Sequence, residues 1–93
     1  MGCTESEWLG WLPAAIGEHA WSRHDASVEV LIHDNNATAL GRLQIHWVVE
    51  PARKIALIRM PRLRVHFAFE GLDEAQRYRF MRRFDLYMHR GGG

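Results

Sequence analysis

The side chains in this 93-residue chain that could do chemistry are its twelve bases, six histidines and single cysteine. Eleven of the twelve bases are arginine. A guanidinium fork binds phosphate or carboxylate bidentately, so clustered arginines point first to an anionic partner. Seven are placed where such a surface could gather. Arg42, Arg59, Arg62 and Arg64 lie in extended segments, and Arg79, Arg82 and Arg83 lie on the polar side of a C-terminal helix. The competing reading is a solvated face. Arg82, Arg83 and Arg90 fall in the last turns of that helix, where positive charge complements the dipole, and Asp73 and Arg77 form an i,i+4 pair. One concave patch uniting Arg79, Arg82 and Arg83 with Arg42, Arg62 and Arg64 would favour the anion site; separate faces would weaken it.

The charge is also split along the chain. Residues 1–36 carry six acids (Glu5, Glu7, Glu18, Asp25, Glu29, Asp34) and one base, Arg23, whereas residues 37–93 carry eleven bases and five acids. The net charge of +1 therefore hides a segment at −5 followed by one at +6. A basic region attracts anionic partners such as nucleic acid, a nucleotide or an acidic protein.

The histidines give no metal motif. A zinc site needs three or four converging ligands, and there is neither HExxH nor a second cysteine. His46 and His66 meet only if their strands pair in register, and His33 would then complete a three-histidine patch on an open sheet face. The expectation is no metal and no cofactor. Cys3 sits in an expected tail, Ser22 and His24 have no oxyanion-hole loop after them, and no phosphate-binding glycine loop is present. These features argue against an enzyme.

Composition bounds the rest. With 47% apolar and 25% charged residues, the chain reads as one folded domain over residues 1–93, with residues 1–4 and 91–93 as flexible ends. A chain this short buries only about 60–65% of its unfolded surface. One cysteine excludes an intrachain disulfide. No apolar run reaches the roughly 18 residues of a membrane span, and no signal-peptide pattern is present, so the expected setting is cytoplasmic. Met1-Gly2-Cys3-Thr4-Glu5-Ser6 fits the short N-myristoylation pattern, with Cys3 as a palmitoylation candidate. The arginine bias instead suggests a GC-rich bacterial genome, where such acylation is not normally carried out.

The elements that must position these residues follow from periodicity. Thr4-Glu5-Ser6-Glu7 is a capping box, and Trp8, Leu12, Ala15 and Ile16 recur at helical spacing. With His19 on the same stripe, this predicts one bent helix over residues 5–21, or two short ones meeting at Pro13. Residues 22–26 read as a linker. Alternation predicts strands at residues 28–33, 38–49, 54–60 and 63–69, with turns at 34–36 and 50–53 and a bulge at Gly41. Pro61 sits either in a tight turn or at an edge-strand bulge within one long bent strand. Asp73-Glu74-Ala75-Gln76 caps a helix over residues 73–89, whose apolar side holds Phe80, Met81, Phe84, Tyr87 and Met88. The fold class is α+β: a three- to four-stranded antiparallel meander with an N-terminal and a C-terminal helix on one face. The expected core is Leu12, Ile16, Val28, Val30, Ile32, Leu43, Ile45, Trp47, Ile58, Val65, Phe67, Phe80, Phe84 and Met88.

Two short stretches resemble known families. Val28-x-Val30-x-Ile32-x-Asp34 followed by Gly41-x-Leu43 resembles the first half of an Sm-type RNA-binding motif, over about a sixth of the chain; the second Sm element is absent. Asn36-Ala37-Thr38-Ala39-Leu40-Gly41, with Val65-His66-Phe67 and Gly71-Leu72-Asp73, is similar to PilZ domains. That resemblance implies cyclic-di-GMP binding, but Ser27 stands where the paired-arginine motif needs a second arginine after Arg23. Neither amounts to recognition.

The sequence thus supports two functional expectations. One is a non-enzymatic binding module contacting an anionic partner through its arginines. The other is a protein–protein interaction or scaffolding domain acting as a homodimer, through a tryptophan-rich helix or a sheet edge.

Overall fold

Thr4 opens the first helix as its sequence requires. Its hydroxyl accepts from the Glu7 amide at 3.1 Å, while the Glu7 carboxylate accepts from the Thr4 amide at 3.0 Å. The computed structural model describes residues 1–34, 36 and 38–92, apart from the side chains of residues 90–92. Asn35 and Ala37, part of the predicted turn and of the PilZ-like stretch, lie outside the described residues, as do the Arg90 side chain and Gly93.

Helix α1 (Glu5–Ile16) carries Pro13 inside it and stops at Gly17, whose φ of 77° is a left-handed conformation that glycine adopts freely. It is therefore shorter than expected, because Gly17 rather than Pro13 breaks it. The predicted linker is instead strand β1 (Ala20–His24), followed by β2 (Ser27–His33). Every residue of β1 is exposed, so its sequence shows no alternation to read. Asp25, at φ 51°, makes the tight connection to β2, a conformation aspartate tolerates.

Strands β3 (Ala39–Ile55) and β4 (Ile58–Glu70) complete an antiparallel meander in the order β1-β2-β3-β4, and α2 (Glu74–Gly92) follows. Asp34 organises the β2–β3 turn, its carboxylate accepting from the Asn36 and Thr38 amides at 2.9 Å. The expected bulge is present: Ile32 faces Gly41 and His33 faces Ala39, so Leu40 is the extra residue. Gly41 is required there, since a Cβ would lie 2.3 Å from the Glu70 carbonyl oxygen.

Two boundaries differ from the sequence reading. Residues 50–53 are not a turn but a bulge within β3, with Pro51 and Ala52 set against Pro61. Neither proline can donate, and β2 ends its pairing at His46, so Pro51 interrupts no second ladder. Pro61 lies within β4, an edge strand, and not in a tight turn; the bulge opposite it belongs to β3, and the strand predicted over residues 54–60 is cut by a turn at residues 56–57 that sends Lys54 and Ile55 into β3.

Both helices cover one face of the sheet. Trp8 meets Trp47 and Phe84 edge-on, at centroid distances of 5.7 and 5.9 Å. Trp47 Nε1 donates to Glu5 at 3.0 Å, tying the start of α1 to the sheet. The expected core holds except for Ile58, which is 64% exposed, and for Val65 and Phe67, which are half-buried. The chain start is anchored rather than loose: Cys3 is buried at 4% exposure, and Met1 exchanges backbone hydrogen bonds with Leu63 on the outer edge of β4.

Candidate interaction surface

From Val48 to Arg62 no residue is buried. The helices cover β3 and β4 only as far as Trp47 and Leu63; beyond these, the hairpin runs on as a two-stranded arm. The molecule is accordingly elongated, at 51 × 24 × 22 Å with a radius of gyration of 14.4 Å. About 12 Å is expected for a compact chain of this length.

Register decides what each face of the arm shows. The β3 bulge inverts its alternation, so Arg53 and Ile55 point to the side where even-numbered residues pointed before it. Strand β4 has no bulge. Arg53 pairs with Met60 and Ile55 with Ile58, making one apolar face continuous with the helix-free side of the sheet. Lys54 pairs with Arg59 on the other face. Leu57 stands fully exposed at the tip, beside Ala56, which takes a positive φ of 55°. Val48, Val49, Ile55, Leu57, Ile58 and Met60 are six of the eleven exposed large apolar side chains among the described residues. Ile55, Ile58 and Met60 share the helix-free face of the arm and Leu57 caps its tip, whereas Val49, paired with the buried Leu63, points to the other side.

The seven candidate anion-binding arginines do not form one patch. Arg42, Arg62 and Arg64 lie on the helix-free face, and each has an acid. Arg42 bonds Glu70 at 2.8 Å and lies 3.8 Å from Glu29, while Arg62 and Arg64 share Glu50 at 3.5 and 2.5 Å. The bond between Arg42 and Glu70 raises the arginine's pKa and lowers the glutamate's. On this face three arginines meet three glutamates, and Arg53, with no ion pair among the described residues, adds a fourth base at the arm. Arg59 lies out on the arm. Arg79, Arg82 and Arg83 lie on α2, which packs against the opposite side of the sheet.

Arg83 has a structural assignment. Its guanidinium lies over Gly17, where a Cβ would sit 2.9 Å from Nε. Helix α1 has no base in its last turn, so Arg83 supplies positive charge at that helix end from a neighbouring element. It also stacks on Tyr87 at 4.7 Å. Arg79 and Arg83 line a cavity of about 310 Å³ with His19, His33 and Gln76. Arg77 turns to the Leu72 carbonyl at 3.4 Å.

A second concavity lies at the arm base. A cleft of about 680 Å³ is lined by Met1, Arg53, Met60, Arg62, Arg64 and Glu50, among others. It brings two of the candidate arginines together with Arg53 against a single acid.

The histidines divide into two groups. His33 is not on the open face. Its Nδ1 lies 2.9 Å from the Asp34 carbonyl and its Nε2 3.3 Å from that of Glu18. Two acceptors favour the doubly protonated ring, and its pKa is raised. His19 Nδ1 accepts from the His33 amide at 3.2 Å, and burial holds its pKa low. His46 and His66 pair directly across β3 and β4, which satisfies the register condition. Burial raises the pKa of the Cys3 thiol, the opposite of what a nucleophile needs.

Sequence reasoning missed the exposure of the arm. The available signal was Ile55-Ala56-Leu57-Ile58, an apolar run that turns without glycine, asparagine or aspartate. No protein-family model, curated protein or solved structure matches the chain.

Proposed function

We propose that this chain is a non-enzymatic interaction module that forms a homodimer through the arm. Two copies pack the Ile55, Ile58 and Met60 faces of their arms together about a twofold axis, each tip reaching the other's base. The concentration of exposed apolar side chains between residues 48 and 60 carries this reading. Along the arm, edge-to-edge pairing is a poorer route: Pro51 interrupts the free edge of β3, and Met1 already occupies β4 at Leu63. Arg42, Arg62 and Arg64 on the helix-free face are each paired with a glutamate, which limits repulsion between two such faces.

Sedimentation equilibrium of the wild type and of the triple variant Ile55→Ser/Ile58→Ser/Met60→Ser tests this. A dimer that dissociates in the variant, with its circular dichroism unchanged, supports the proposal. A wild-type monomer at high micromolar concentration contradicts it.

One observation favours a second reading, an anionic partner. Lys54 and Arg59 have no ion pair among the described residues, and the arm-base cleft sets Arg53, Arg62 and Arg64 against Glu50 alone. If nucleic acid binds in that cleft, affinity falls steeply with salt, and Arg53→Ser/Arg64→Ser flattens that dependence.

A further inference from the structure

The meander places three of the six histidines on one rung of the sheet. His24 pairs with Ser27, Ser27 with His46, and His46 with His66, so the four positions cross all four strands in a line. Directly paired residues share a face, so the whole rung points away from the helices. All three histidines are exposed.

We infer that His46 and His66 form a two-histidine clamp for a divalent transition-metal ion such as Zn²⁺ or Ni²⁺. Directly opposite residues on antiparallel strands have Cβ atoms about 4.5–5.5 Å apart. Two imidazoles from such positions can turn one nitrogen each toward a common ion at about 2.0–2.1 Å. Imidazole suits zinc, nickel and copper, whereas calcium and magnesium prefer oxygen. No group of three or more histidine, cysteine, aspartate or glutamate residues among the described residues is arranged to hold a metal, so water completes the coordination. The remaining positions are open to a substrate or to a ligand from another molecule.

His24 is too distant to share the ion. It stands three strands from His66, about 14 Å at the usual spacing. The other close histidine pair, His19 and His33, has ring centroids 4.6 Å apart. Three of its four ring nitrogens are committed, with both of His33's at carbonyls and His19 Nδ1 at the His33 amide.

The test is calorimetric titration of the untagged full chain with NiCl₂ and with ZnCl₂. The expected result is saturable binding of one ion per chain. His46→Ala and His66→Ala should each weaken it by roughly tenfold or more, because either loss opens the chelate, and the double variant should abolish it by removing the last imidazole. His24→Ala and His33→Ala should leave it unchanged. Circular dichroism of each variant should match the wild type, since both clamp residues are exposed. Absence of saturation up to about 1 mM ion overturns the inference. So does binding of undiminished affinity in either clamp variant, or binding that His24→Ala weakens equally.

Discussion

One pair of strands builds both the best-protected and the least-protected parts of this molecule. In the lower half of the β3–β4 hairpin, Leu43 faces Phe69, Ile45 faces Phe67 and Trp47 faces Val65, all beneath two helices. In the upper half, Arg53 faces Met60, Lys54 faces Arg59 and Ile55 faces Ile58, with nothing above either face. Both halves have strand-forming residues in antiparallel register. The difference is the cover. A two-stranded ribbon is marginal in water by itself, so the lower half takes its stability from the helices, and the upper half gains comparable burial only from another molecule.

Truncation should separate the halves most sharply. Trp47→Ala removes a fully buried indole and its bond to Glu5, and is expected to destabilise the chain by about 3–5 kcal/mol in urea unfolding. Ile58→Ala, measured at low micromolar concentration, should stay within about 0.5 kcal/mol of wild type. Comparable losses at both positions would mean that the arm is packed within its own chain.

Gly41→Ala probes the junction of β3 with the end of β4. The added methyl would meet a backbone oxygen that cannot turn aside, so a loss of roughly 2 kcal/mol is expected by the same assay. At the other end of the hairpin the sign reverses. Ala56→Gly relieves a left-handed conformation and should stabilise the arm by about 0.5–1 kcal/mol. That gain should be read as slower amide exchange from residues 53–60, because the arm can open without unfolding the core.

The smallest effect is pH-dependent. The raised pKa of His33 gives stability that is fully present below the unfolded value of about 6.5 and is lost as pH rises through the folded value. The lowered pKa of His19 works the other way: stability falls as pH drops from the unfolded value through the folded one. His33→Asn should therefore cost more at about pH 5.5 than at pH 8, and His19→Gln should gain relative to wild type at the acid end, both in urea midpoints. An identical midpoint difference at both pH values for His33→Asn would show that its two carbonyl contacts do not select the charged ring.

Much of the fold was legible because local chemistry and tertiary structure agree. The capping boxes at Thr4 and Asp73 form as written, and strict alternation from Leu43 to Trp47 and from Leu63 to Phe69 marks a covered face. β1 was not legible, since an uncovered edge strand leaves no apolar period. Neither was the arm. Alternation records which side a residue points to, not whether anything lies there, so Ile58 read as core. The arginine set was legible only as a set. Register alone decides that Arg42, Arg62 and Arg64 face glutamates, and helix packing alone decides that Arg83 serves α1.

Amide hydrogen exchange against protein concentration tests the central claim most directly. If the arm is the dimer contact, protection of residues 53–60 rises as the chain is concentrated from about 1 to 100 μM, while protection of residues 43–47 stays constant. Arm amides that exchange at the same rate throughout that range would contradict the account.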